Sequence, residues 1–82
     1  MEKIKVEKGR VKVEINPNIY SYDSVVRTSK TLKKACNVKI KKSDEAIFVT
    51  IKPRTKGIPL EVLGYEFYNY LLNTVKEMKV EE

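Results

Sequence analysis

The residue types that most often perform catalysis are nearly absent from this chain of 82 residues. It contains no His, which is the usual general base and the commonest metal ligand in proteins. It contains one Cys, so neither a thiolate zinc site nor an internal disulfide can form within the chain. The three glycines, at positions 9, 57 and 64, do not form a phosphate-binding loop. Composition therefore predicts a protein with no metal, no cofactor and no catalytic residue.

The remaining candidates for chemistry are one thiol and a few neighbouring carboxylates. Cys36 falls on an apolar helical stripe, and no His could accept its proton, so we interpret it as a buried structural thiol. Asp44 and Glu45 fall at a predicted hairpin tip, and Glu81 and Glu82 come last in the sequence. General acid–base catalysis needs a carboxylate that is buried and held in place, and neither pair meets that condition. We therefore expect no enzymatic activity.

Length and composition predict one basic domain over residues 1–82, since a chain this short does not hold a second core. Seventeen Lys and Arg against eleven Asp and Glu give a net charge of +6, and 41% of residues are hydrophobic, too many for a disordered tail. The first ten residues alternate in charge, and no apolar run is long enough to cross a membrane. We expect a cytoplasmic protein without membrane contact. Abundant Lys and Glu with no Gln resemble a thermophilic composition.

Two stretches of strict alternation predict two β-hairpins. Residues 3–7 and 10–15 alternate between polar and apolar side chains around Gly9, which suits a tight turn. Residues 38–42 and 46–52 repeat the pattern around a polar tip, and Pro53 ends the last strand. The side chains predicted to face the core are Ile4, Val6, Val11, Val13, Ile15, Val38, Ile40, Ile47, Val49 and Ile51.

A first helix is predicted over residues 22–36, between the two hairpins. Ser21 is its predicted N-cap, and Asn37 is predicted to end it in a left-handed conformation. At 100° per residue one stripe faces the core. This stripe consists of Tyr22, Val25, Ser29, Leu32 and Cys36.

A second helix is predicted over residues 59–79, with Pro59 in its first turn. Gly64 lies at the edge of its apolar stripe, where a missing side chain lets the helix approach the sheet closely. The order β-β-α-β-β-α predicts an α+β two-layer sandwich, with an antiparallel-rich sheet and both helices on one face. The stripe consists of Leu60, Leu63, Phe67, Leu71, Thr74 and Met78.

The other face of the predicted sheet is strongly basic. It carries seven Lys and Arg against Glu7 and Glu14. One interpretation is a nucleic-acid platform on which cations contact phosphates and Phe48 stacks on a base. The other is a solvated face whose lysines block edge-to-edge pairing of sheets. The candidate nucleic-acid-binding residues are Arg10, Lys12, Lys39, Lys41, Phe48 and Lys52.

The second helix also has apolar side chains on its back. A helix that lies on a sheet needs one apolar face, whereas Tyr65, Tyr68 and Leu72 fall away from the Phe67 stripe. Tyr is favoured at protein interfaces, although single surface tyrosines that lie over the sheet edge would give the same pattern. The predicted protein interface consists of Val62, Tyr65, Tyr68, Asn69 and Leu72.

Two segments resemble the HxsD family, the small D protein of the His-Xaa-Ser peptide-modification systems. The first is Ile15-Asn16-Pro17-Asn18-Ile19-Tyr20-Ser21-Tyr22-Asp23-Ser24-Val25-Val26, and the second is Glu66-Phe67-Tyr68-Asn69-Tyr70-Leu71-Leu72. The resemblance covers about residues 11–75 and includes the strand Ile47-Phe48-Val49-Thr50-Ile51. It implies a non-catalytic accessory protein that accompanies radical-SAM enzymes, and it supplies no catalytic residue.

The leading functional prediction is a small accessory or adaptor protein that binds another protein, or a second copy of itself, through its last helix. The alternative is a module that binds RNA or DNA through the basic sheet face.

Overall fold

Along the chain, the apolar side chains twice change from the alternating spacing of strands to the spacing of a helix. The elements of secondary structure change at the same places. The computed structural model describes residues 3–81 and shows the predicted order β-β-α-β-β-α. The elements are β1 (Lys3–Glu7), β2 (Arg10–Ile15), α1 (Tyr22–Leu32), β3 (Cys36–Lys42), β4 (Ile47–Pro53) and α2 (Leu60–Glu81).

The four strands form one open antiparallel sheet in the order β1-β2-β4-β3. Gly9 turns β1 into β2 with a φ of 74°, a conformation that glycine adopts at no steric cost. Between β3 and β4, the Ser43 N–H donates to the Ala46 carbonyl at 2.9 Å. α2 packs on β1 and β2, and α1 packs on β3. The predicted two-layer α+β fold is confirmed.

The core lies between the sheet and the two helices. Cross-strand register pairs Val11 with Ile51 and Val13 with Val49 on the core face, and all four side chains are fully buried. Phe67 projects onto this surface from α2. Burial of a side chain of this kind stabilises the fold by about 1.5–3 kcal/mol. The other fully buried or nearly fully buried apolar residues include Ile15, Val25, Cys36, Ile47 and Leu71.

α1 begins where the sequence predicts and ends one turn earlier. The Ser21 hydroxyl accepts a hydrogen bond from the Ser24 N–H at 3.2 Å, so Ser21 is the N-cap. The helix ends at Leu32, and the prediction that it continues to residue 36 is wrong. Asn37 does not end it either, since this residue is part of β3 and no non-glycine residue in 3–81 has positive φ.

Cys36 is buried as predicted, but it belongs to β3 rather than to a helix. Its position fits two patterns, because it continues the helical stripe and also alternates with Val38 and Ile40. The strand prevails because Cys36 pairs with Pro53 at the end of β4. The Arg54 N–H then donates to the carbonyl of residue 35 at 3.2 Å, which extends the ladder by one bond.

Two side chains assigned to the core from the sequence are largely exposed. Tyr22 is 43% exposed at the start of α1, where the Lys42 ammonium lies 5.0 Å from its ring centroid. Val6 is 44% exposed, although its cross-strand partner Val11 is fully buried. Val6 lies on the core-facing side of the edge strand β1, close to the turn, where the helix layer does not cover it.

Gly64 allows α2 to lie close to the sheet, as the sequence predicts. A Cβ atom at this position would lie 2.7 Å from Cγ2 of Ile4 and 3.3 Å from Cγ2 of Val11. Real Cβ atoms do not come as close as 2.7 Å to another heavy atom, so a larger residue would force the Ile4 side chain or the helix to shift. The helix begins just before this point, where the Pro59 carbonyl accepts the Leu63 N–H at 3.1 Å.

Candidate functional site: two solvent-facing surfaces

The side chains that could perform chemistry do not converge. Within residues 3–81, no three His, Cys, Asp or Glu side chains lie close enough to hold a metal ion. Burial raises the pKa of the Cys36 thiol above its ordinary value, and the positive charge of Arg54 only partly offsets this. A thiol that stays protonated is a poor nucleophile. The candidate functional sites are therefore two exposed surfaces, one on α2 and one on the sheet.

The first surface is a row of side chains on the solvent side of α2, which we call the outer stripe: Val62, Tyr65, Asn69 and Leu72. They recur at spacings of three and four residues, so at 100° per residue they fall within a sector of about 80°. Val62 is 51% exposed, Tyr65 58% and Leu72 43%, and Asn69 is exposed as well. The structure thus brings four of the five predicted interface residues together in water.

Tyr68, the fifth predicted interface residue, is a core residue and not part of the outer stripe. Its side chain is 3% exposed. The hydroxyl donates to the Glu14 carbonyl at 2.7 Å and accepts the Lys3 N–H at 3.1 Å. Lys3 and Glu14 pair across β1 and β2, so Tyr68 ties α2 to the end of this hairpin. The prediction that Tyr68 belongs to an interface is wrong, because it assumed that only a narrow stripe of α2 faces the core.

The buried sector of α2 is wider than the predicted stripe because the helix packs across both β1 and β2. From Leu63 through Phe67 and Leu71 to Tyr68, buried side chains cover a sector of about 140° at 100° per residue. Tyr68 lies on the flank that contains Gly64. That flank meets β1, which the sequence does not place relative to the helix.

The second surface is the side of the sheet opposite the helices, which we call the open sheet face. The strand register sorts its side chains into three rows. The first row reads Lys3, Glu14, Phe48 and Lys41; the middle row reads Lys5, Lys12, Thr50 and Lys39; and the third reads Glu7, Arg10, Lys52 and Asn37. All six residues predicted for nucleic-acid binding lie on this one face.

Charge on the open sheet face is only partly compensated. The Glu14 carboxylate lies 3.3 Å from Lys3 Nζ, and the Glu7 carboxylate lies 3.4 Å from Arg10 Nε. Among the residues that the structure describes, these are the two ion pairs of this face. Seven cations against two carboxylates leave five positive charges in excess, and the middle row contains no acid.

A cleft of about 580 Å³ opens at the end of the sheet where β2 and β3 begin and β4 ends. Five cationic side chains and no acidic ones line it: Arg10, Lys33, Lys39, Lys52 and Arg54. Arg54 is held in position, because its guanidinium donates to Asn37 Oδ1 at 3.3 Å and to the Lys34 carbonyl at 3.4 Å.

Sequence reasoning missed Lys33 and Arg54 as part of this surface. Lys33 follows α1 and Arg54 follows β4, so neither belongs to an alternating strand pattern. Only the pairing of β3 with β4 brings the turn after α1 to the end of β4. The cation at position 54, directly after the strand-ending Pro53, is the one signal that the sequence contained.

Comparison of the chain with family models, curated proteins and solved structures finds no match. Neither α1 nor α2, as described, is both long enough and apolar enough to cross a membrane.

Proposed function

We propose that this chain is a small accessory protein without catalytic activity, which works through protein–protein contact along the outer stripe of α2. Its first partner is a second copy of the chain. The observation that supports this proposal is the exposure of Val62, Tyr65 and Leu72 on one side of a helix whose opposite side already covers the sheet. Val62 and Tyr65 lie on adjacent turns, and Leu72 lies on the same side two turns further along, beyond Asn69. Monomeric proteins usually limit the size of such exposed apolar surface.

The spacing of the outer stripe favours another helix as the occupant. Positions 62, 65, 69 and 72 follow the a and d positions of a heptad, the spacing with which two helices pack together. Asn69 occupies an a position. In two antiparallel copies with aligned stripes it lies opposite Tyr65 of the second copy, where its side-chain amide can hydrogen-bond to the tyrosine hydroxyl.

Charges along α2 favour an antiparallel second copy. Glu61 borders the outer stripe at the first turn, whereas Lys76 continues the stripe and Lys79 borders it near the last turns. When two copies of α2 lie antiparallel, Glu61 of each copy lies toward Lys76 and Lys79 of the other. Two-fold symmetry then lets the same patch serve both copies.

The resemblance to the HxsD family supports an accessory role. The segment Glu66–Leu72, on which part of that resemblance rests, contains two outer-stripe residues, Asn69 and Leu72. A protein of that family would accompany radical-SAM enzymes that mature peptides. The proposal includes a cytoplasmic location, which suits the free thiol of Cys36 because a reducing compartment keeps thiols unpaired.

Sedimentation velocity tests the proposal. The wild type is expected to form a dimer at high micromolar concentration, and the double variant Tyr65→Glu, Leu72→Glu is expected to remain a monomer with an unchanged circular dichroism spectrum. The matched control is Ile19→Glu, Tyr22→Glu, because these side chains are similarly exposed, at 64% and 43%, and do not belong to the outer stripe. The control should dimerise like the wild type. A monomeric wild type would refute self-pairing.

A further inference from the structure

We propose that the open sheet face binds single-stranded nucleic acid. In this arrangement the phosphates follow the middle row of the sheet into the basic cleft, and one base stacks on Phe48. This site is independent of the outer stripe, because it lies on the opposite layer of the molecule. The ligand class follows from three features, which are the row of lysines, the aromatic ring beside it and the cleft at its end.

The middle row places like charges side by side. Lys5 lies directly opposite Lys12 across β1 and β2, and Lys39 follows in the same row beyond Thr50. Like charges directly opposite each other are unfavourable in a sheet, and an anion that lies along the row would neutralise charge that no acid in the row compensates. Strands are about 4.8 Å apart, so the four-strand row is about 14 Å long. That length suits a chain of phosphates better than a single anion.

Phe48 distinguishes a nucleic acid from other polyanions. It is half-buried on the open sheet face, and the Lys12 ammonium lies 5.0 Å from its ring centroid. The ammonium covers one face of the ring, and the side chain that carries it is itself exposed. A base can replace it there, and the freed lysine then reaches the neighbouring phosphate. Stacking needs an unpaired base, so this geometry favours single strands over duplexes and over acidic peptides.

The basic cleft provides the end of the path. Its lining includes Lys39 from the middle row and Lys52 from the third row, so the two rows open into it. Arg54 projects there with its guanidinium already oriented by Asn37 and by the carbonyl of residue 34. A pre-oriented guanidinium loses less conformational freedom when it binds a phosphate.

Fluorescence anisotropy with a labelled twenty-residue oligouridylate tests this site. At 0.1 M salt each phosphate contact is worth about fivefold in affinity, so Lys12→Gln, Lys39→Gln should weaken binding about 25-fold. The same variant should reduce the slope of log affinity against log salt by about 1.4. The matched control Arg27→Gln, Lys30→Gln removes the same charge from exposed positions of α1 and should change the affinity less than threefold.

Phe48→Leu tests the stacking contact separately. It should weaken binding at least about fivefold while leaving the salt slope unchanged, because stacking releases no counterions. Three results would overturn the proposal: equal weakening by the control pair, equal affinity for a duplex of the same length, or equal affinity for a polyglutamate peptide. Circular dichroism of each variant verifies that the sheet is retained.

Discussion

Tyr68→Phe removes one hydroxyl group and tests where the core of the molecule ends on α2. The ring stays in place, so apolar burial is unchanged. The substitution leaves the Glu14 carbonyl and the Lys3 N–H without the partner that lies 2.7 Å and 3.1 Å away. Each such hydrogen bond contributes about 0.5–1.5 kcal/mol. We therefore expect the free energy of unfolding to fall by about 1–3 kcal/mol.

Tyr65→Phe is the matched control, since Tyr65 lies one turn away on the same helix and is 58% exposed. Removal of the Tyr65 hydroxyl should change the free energy of unfolding by less than about 0.5 kcal/mol. Urea unfolding followed by circular dichroism measures both variants, at a concentration low enough that self-association does not add to stability. In a domain of this size a change of 2 kcal/mol shifts the midpoint temperature by roughly 10 °C. Equal effects of the two substitutions would refute the assignment of Tyr68 to the core.

Three further predictions concern packing and the thiol. Gly64→Ala should destabilise the fold, although alanine has the better helix propensity. Ile4→Ala removes the atoms that the new methyl group would contact. In a double-mutant cycle the two substitutions together should therefore cost less stability than the sum of their separate effects. Ser29→Ala should stabilise the fold by about 0.5–1 kcal/mol, because the buried Ser29 hydroxyl has no hydrogen-bond partner among the described residues. Thr28→Val should instead destabilise it by about 1 kcal/mol, because it loses the 3.0 Å hydrogen bond to the Thr74 hydroxyl of α2. A reversed order of the two stabilities in urea unfolding would contradict this. Cys36 should react with a thiol reagent at least 100-fold more slowly in the native protein than in denaturant. Because its pKa is raised, the stability from burying the neutral thiol should be present at neutral pH and decrease as the pH rises past the ordinary thiol pKa.

The elements of this fold were predictable because its periodicities are unambiguous over most of the chain. Strict alternation identified both hairpins, and the Phe67 stripe identified α2. The sequence did not specify which strand lies at which edge, because alternation defines the faces of a strand and not its neighbours. The predicted end of α1 at Cys36 was wrong for a related reason, since this position fits a helical stripe and an alternating strand equally well.

The limits of prediction at the two surfaces have the same physical origin. The composition of the open sheet face was predictable, since each strand shows its own outward residues. The cleft was not, because Lys33 and Arg54 meet only through the pairing of β3 with β4. Tyr68 was misassigned because the width of the buried sector of α2 depends on how far the sheet extends beneath it. Tertiary packing, and not local pattern, decides these positions.

In the proposed dimer, the outer stripe of α2 pairs with the same stripe of a second copy. An isotope-filtered NOE experiment on a mixture of ¹³C-labelled and unlabelled protein tests this contact directly. We expect intermolecular NOEs from the Leu72 methyl groups to side-chain protons of Val62 or Tyr65 in the other copy. Absence of intermolecular NOEs at Leu72 at millimolar concentration, or NOEs only at residues outside the outer stripe, would contradict the claim.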